Sequence, residues 1–173
     1  LVADLLDTMY AQNGVGLAAP QIGENYRVFV IDVSTGNEPL NPMVFINPKI
    51  IKKSGAVISH EGCLSFPEAF TDVRRYANVM IKALDRNGRS FVLEAKDGTL
   101  LARAIQHEFD HLDGILFIDH VINRFEAEEV LKKHNLPDIQ VDKILDEPEL
   151  AAQIEVLLKE KVENEKSENI EKE

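Results

Sequence analysis

Residues 99–114 read Thr99-Leu100-Leu101-Ala102-Arg103-Ala104-Ile105-Gln106-His107-Glu108-Phe109-Asp110-His111-Leu112-Asp113-Gly114. Ile105, Phe109 and Leu112 mark an apolar side, which predicts a helix over residues 99–112 that Asp113-Gly114 stops. Side chains four residues apart stand one above the other on a helix. His107 and His111 therefore share a face, and two imidazoles so placed can grip one metal ion. Glu108 between them can reach a water at that ion. This pattern points to metal-assisted hydrolysis.

Working back from this helix, residues 78–84 and 89–95 flank Asp85-Arg86-Asn87-Gly88, a hairpin turn. Residues 27–32, 44–51 and 56–59 read as further strands. Residues 1–12 carry a helical apolar stripe that Asn13-Gly14 ends. Residues 14–23 are glycine-rich and apolar, with Pro20 inside, so they read as a loop or extended segment. Downstream, residues 124–133 and 149–161 read as helices, separated by a turn-like acidic stretch over 135–148. Residues 162–173 are almost all Glu, Lys, Asn and Ser, which predicts a solvated, disordered tail. The order of elements predicts an α+β domain: mixed or antiparallel strands around a central helix that carries His-Glu-x-x-His, with a helical C-terminal extension.

The 173 residues suffice for one domain with a real core, and 45% of them are hydrophobic. A formal net charge of −11 argues against nucleic acid as a direct partner, because phosphates are repelled. It argues equally against a basic membrane-binding surface, and no apolar run is long enough to span a bilayer. The single Cys forms no internal disulfide, so a cytoplasmic setting is expected.

Two histidines leave a metal under-coordinated, since a catalytic site commonly has three protein ligands and one open position. The zinc-protease pattern with a third His six residues after the second fails, because Phe117 occupies that position. A downstream Glu (Glu126, Glu128 or Glu129) is one candidate. Cys63 is the other, in Glu61-Gly62-Cys63-Leu64-Ser65, where Gly62 suits a ligand loop because glycine adopts conformations other residues resist. Gly14-Val15-Gly16-Leu17-Ala18-Ala19 also matches a loose dinucleotide fingerprint. That motif needs a strand before it and a helix after it, and here a helix precedes and Pro20 follows.

Three separated segments, Gly14-Val15-Gly16-Leu17-Ala18-Ala19-Pro20-Gln21, Glu61-Gly62-Cys63-Leu64-Ser65 and Gln106-His107-Glu108-Phe109-Asp110-His111-Leu112-Asp113-Gly114, occur in an order that resembles the peptide deformylases. The resemblance covers about residues 1–119 and is to the compact bacterial form. It implies a deformylase-like catalytic domain over 1–120, a helical extension over 121–161 and the charged tail over 162–173. It also implies that a segment normally preceding the first helix is missing.

Carried over, the resemblance implies Cys63, His107 and His111 as metal ligands and Glu108 as general acid/base. It implies the Gln21 side chain and the Leu64 backbone N–H as oxyanion donors, with Val15, Gly16 and Gly62 beside the substrate main chain. The implied substrates are N-formylmethionyl peptides. The implied cofactor is one divalent ion, Fe²⁺ first, with Zn²⁺, Ni²⁺ or Co²⁺ able to replace it. Val15, Leu100 and the stem of Arg103 are candidates for the pocket of the first side chain. Some relatives dock on the ribosome through a basic C-terminal helix; the acidic last third here speaks against that mode. Two rival readings stand beside this one. One is a zinc metalloprotease with a downstream Glu ligand. The other is a non-catalytic binding module stabilised by a closed metal.

Overall fold

The structure, a computed structural model, describes residues 1–135 and 147–170. Eleven regular elements follow in chain order: α1 Val2–Ala11, β1 Gly16–Ala18, β2 Val28–Ile31, β3 Met43–Ser54, β4 Val57–Cys63, β5 Phe66–Arg75, β6 Asn78–Leu84, β7 Ser90–Ala95, α2 Leu100–Leu112, α3 Arg124–Lys133 and α4 Pro148–Ile170. The architecture is α+β, as expected. Every strand pair is antiparallel. One sheet has the order β1-β2-β3-β6-β7, and β4 and β5 form a separate two-stranded sheet.

Strand β2 explains how the layers assemble. Its four residues are all buried, because alternate side chains face opposite ways. Val28 and Val30 pack with Leu5 and Met9 of α1. Phe29 and Ile31 pack with Ala102 and Ile105 of α2. The large sheet is thus held between α1 on one face and α2 on the other. Phe29 and Phe45 stack at 4.6 Å between ring centroids and are fully buried. Each such side chain contributes roughly 1.5–3 kcal/mol on burial.

Helix α2 begins where Thr99 accepts from the Ala102 amide, an N-cap. It ends where Gly114 takes a left-handed φ of 70°, as the Asp-Gly stop predicts. The Gln106 carboxamide fixes how it sits. Its Oε1 accepts from the Tyr76 amide at 2.9 Å, and its Nε2 donates to the Tyr76 carbonyl at 2.8 Å. The residue before the first histidine therefore pins the helix to the end of β5.

Three sequence expectations change. Strand β5 was not foreseen, and β4 runs on through Cys63, so Gly62 and Cys63 lie in a strand and not in a loop. Helix α4 is continuous to Ile170, past the point where the charged tail was placed. Most of the acidic stretch over 135–148 and the last three residues lie outside the described residues. No helix among those described is long and apolar enough to cross a membrane.

Candidate active site

The β4–β5 hairpin lays its C-terminal end of β4 against α2. Cys63 comes from β4, and His107 and His111 come from one face of α2. One ligand atom from each lies within 4.8 Å of the others, and Cys63 Sγ is 3.2 Å from His111 Nε2. Atoms bound to one ion at about 2.0–2.3 Å lie within roughly 4 Å of one another, so the three donors need close only slightly. Among the described residues this is the group of His, Cys, Asp and Glu able to hold an ion. Glu126 and Glu129 are exposed on α3 and Glu128 pairs with Arg124, so no carboxylate from that helix joins the histidines.

The chemistry of the donors fits a cation. Burial, aided by the charge of His107, takes His111 down to about 4, so its ring is neutral with a lone pair to offer. Burial pushes the Cys63 thiol up to about 11, and Glu108 and Glu61 add to the rise. A divalent ion reverses that balance and makes the thiolate the stable form.

Behind these three side chains stands a charge network that the sequence did not announce. His107 Nδ1 lies 3.2 Å from Glu61 Oε2. A ring that donates from Nδ1 to this carboxylate would leave Nε2 free to hold an ion. Arg75 is 1% exposed; its Nε and Nη2 donate to Glu61, and its Nη1 donates to Asp110 at 2.5 Å. His120 Nε2 lies 3.0 Å from the same Asp110 oxygen. Burial alone raises the Glu61 pKa, yet Arg75 and His107 bring it down to about 2. Glu61 and Asp110 lie inside the quoted motifs, but Arg75 and His120 do not, and nothing about their spacing marked them.

Glu108 is 5% exposed, and its Oε2 has no hydrogen-bond partner among the described residues. Burial drives its pKa well above the usual carboxylate value against the pull of Arg75, with Asp110 and Glu61 adding to the rise. A Cβ on Gly16 would collide with this carboxyl, so β1 presses directly on it. Gln21 Oε1 accepts from the Ala18 amide at 2.8 Å, which turns Nε2 toward Ser65 Oγ at 3.1 Å and Cys63 Sγ at 3.7 Å. Leu64 follows Cys63 at the β4–β5 turn, half-exposed.

Gln21, Cys63, Leu64, His107 and Glu108 line a cleft of about 400 Å³ that also holds Val15, Gly16, Gly62, Leu100 and Arg103. It runs between two strand edges that carry no sheet partner, that of β1 and that of β4. Gly62 needs correcting in one respect. Its φ is not positive, so conformational freedom is not its reason. A Cβ there would sit 2.5 Å from Phe70 Cε1 and 3.1 Å from the Ala69 carbonyl oxygen, so the paired strand β5 crowds this position.

The family model for polypeptide deformylase matches residues 1–127. This chain belongs to the polypeptide deformylase family. Peptide deformylase 1 of Clostridium perfringens is 54% identical over 120 residues, covering 69% of this chain and 78% of that one. Peptide deformylase 1 of Vibrio vulnificus is 45% identical over 138 residues, covering 78% and 80%. Among solved structures, a peptide deformylase from Synechococcus elongatus in complex with actinonin superposes with a TM-score of 0.73. It shares 45% identity over 79% of this chain and 73% of that chain. The family is one of metal-dependent hydrolases, in line with the Cys–His–His group, and neither rival reading is favoured.

Proposed function

We propose that this deformylase removes the formyl group from N-formylmethionyl peptides in the cytoplasm. Cys63, His107 and His111 hold one divalent ion, Fe²⁺ by preference and replaceable by Zn²⁺, Ni²⁺ or Co²⁺. The observation that carries the reading is the convergence of these three donors beside a buried carboxyl, Glu108, whose Oε2 has no partner among the described residues; Cys63, His107 and Glu108 line one cleft.

A bound divalent ion supplies Lewis acidity and lets water act as a nucleophile near neutral pH. The chain's own residues do the rest. Glu108 takes the proton from the attacking water and returns it to the departing amine nitrogen. Formate and a free N-terminus result. The Gln21 carboxamide, held by Ala18, aims an N–H at the space beside Cys63 where the oxyanion develops. The Leu64 backbone N–H, next to Cys63 in the chain, is the second donor. One such donor is worth about 3 kcal/mol of barrier. An extended substrate fits between the free edges of β1 and β4, pairing its main chain along Val15–Gly16 and Gly62. The charge of −11 supports a protein and not an RNA contact for any approach to the ribosome, and not one through a basic C-terminal helix.

Formate release from formyl-Met-Ala-Ser, set beside cleavage of the same peptide without its formyl group, tests the reading. The expected result is formate from the first and an intact second peptide. Cleavage inside the unformylated peptide would point to a protease.

A further inference from the structure

After α2 the chain makes a 3₁₀ turn, Phe117–His120, that lies against β5. Phe117 and Ile118 pack with Phe66 and Val73. Val121 bridges Val73, and the Ile122 amide donates to the Asp72 carbonyl at 3.0 Å. The backbone around His120 is therefore fixed on both sides. The residue is 5% exposed. Its Nε2 lies 3.0 Å from Asp110 Oδ2, and its Nδ1 has no hydrogen-bond partner among the described residues. A buried nitrogen left in that state is costly, and an apolar side chain would avoid the cost. What the imidazole offers in return is the Nε2 contact.

That contact falls on an oxygen already in use. Asp110 Oδ2 accepts from Arg75 Nη1, while Arg75 Nε and Nη2 donate to Glu61. Glu61 Oε2 in turn lies 3.2 Å from His107 Nδ1. We propose that His120 is a positioning residue for the metal centre. It anchors the Asp110 carboxylate, which shares one guanidinium with Glu61, and Glu61 orients the His107 ring. The inference rests on the reading of Cys63, His107 and His111 as the metal's ligands. An ionised carboxylate only accepts, so Nε2 is the donor in this bond. Without it Asp110 leans on Arg75 alone, the guanidinium is drawn toward Asp110, and the hold on Glu61 slackens. Groups that orient a ligating histidine are worth about 10–100-fold in metal affinity. His120 acts further back along the same chain of contacts, so its share lies at the low end of that range.

The test measures Zn²⁺ affinity by competition with a chelating dye. It uses the native chain, His120→Phe, His120→Gln and His120→Asn, each under conditions where urea unfolding shows the metal-free chain to be folded. Phenylalanine keeps a ring without nitrogens. Glutamine sets an amide N–H near the place of Nε2, and asparagine is one carbon too short to do so. His120→Phe and His120→Asn should each bind about tenfold more weakly, and His120→Gln should regain most of that loss. A lower urea midpoint with native Zn²⁺ affinity marks a packing role alone and overturns the proposal. Equal losses in His120→Phe and His120→Gln overturn it too. Where His120→Phe does not fold, His120→Asn is set against His120→Gln, and equal affinities overturn the proposal. A native chain that binds no Zn²⁺ overturns the ligand reading, and this inference with it.

Discussion

Gly16 and Glu108 are packed so closely that a methyl group on residue 16 would lie 2.8 Å from both Cγ and Cδ of the Glu108 side chain. Glu108 is buried, and its open side is the cleft it lines. Gly16→Ala is therefore expected to displace the carboxyl while leaving the three metal donors in place. A misplacement of about 1 Å costs on the order of 10²-fold in rate. Steady-state kinetics with metal analysis checks this: kcat should fall by about that factor with one ion still bound per chain. Gly14→Ala is the comparison, since its Cβ meets chiefly the half-exposed tip of Leu64.

Glu61 ties the hairpin to α2 directly through His107, and indirectly through Arg75, whose other arm reaches Asp110. Glu61→Ala leaves the buried guanidinium with Asp110 as its carboxylate and His107 Nδ1 at 3.4 Å, and frees the His107 ring to turn. Losing one partner of a buried pair costs about 3–5 kcal/mol, and losing the support of a ligating histidine weakens metal affinity by about 10–100-fold. Urea unfolding and competition with a chelating dye measure the two effects. Glu61→Gln keeps the shape and an acceptor, so it should lie between native and Glu61→Ala in both.

The two histidines, the hairpin turn at residues 85–88 and both flanking strands were legible in the sequence because each obeys a local rule. Helical spacing sets the first, and Asp and Gly at fixed turn positions set the second. Strand β5 obeys none. Its inward side carries Phe66, Ala69, Thr71, Val73 and Arg75, so its alternation is broken by a polar and a charged residue. Arg75 reads as a solvent-facing charge until the fold brings Glu61, Asp110 and His107 around it. The position of Cys63 beside α2 depends on that unseen strand, which is why residue spacing alone left Glu126, Glu128 and Glu129 open as ligands. Gly62 misled in a similar way, since its φ is not positive and Phe70 and the Ala69 carbonyl crowd it; crowding between segments, like that of Glu108 on Gly16, leaves no mark in the local sequence.

The Tyr10 hydroxyl donates to Asp32 Oδ2 at 2.6 Å, joining α1 to the end of β2. Burial and then Asp32 push the tyrosine pKa up to about 12. Burial opposes ionisation of Asp32, but Ser34, Tyr10 and Asn41 hold its carboxyl below the usual range. A raised folded-state value stabilises at pH below 10, the unfolded value, and the stabilisation is lost as pH climbs toward 12. The lowered Asp32 value acts at the other end. Its contribution is full above the unfolded carboxylate value near 4 and vanishes as pH falls through the folded one. Tyr10→Phe should flatten the fall in unfolding free energy between pH 10 and 12 relative to native. Identical slopes would show that the pair does not couple to folding.

A thiolate ligand makes the centre sensitive to oxidation, above all with a redox-active ion. An iron-loaded sample should lose formate-releasing activity in air faster than a nickel-loaded one, and strict exclusion of oxygen should bring the two together. Equal loss rates in air would contradict this.

The central claim is that a sulfur on β4 and two nitrogens on α2 share one ion. Metal content of the native chain and of Cys63→Ala, measured after dialysis against a weak chelator, tests it most directly. One divalent ion per native chain and almost none on Cys63→Ala is the expected result, with the variant still folded by circular dichroism. A folded Cys63→Ala that keeps its ion at native affinity would contradict it.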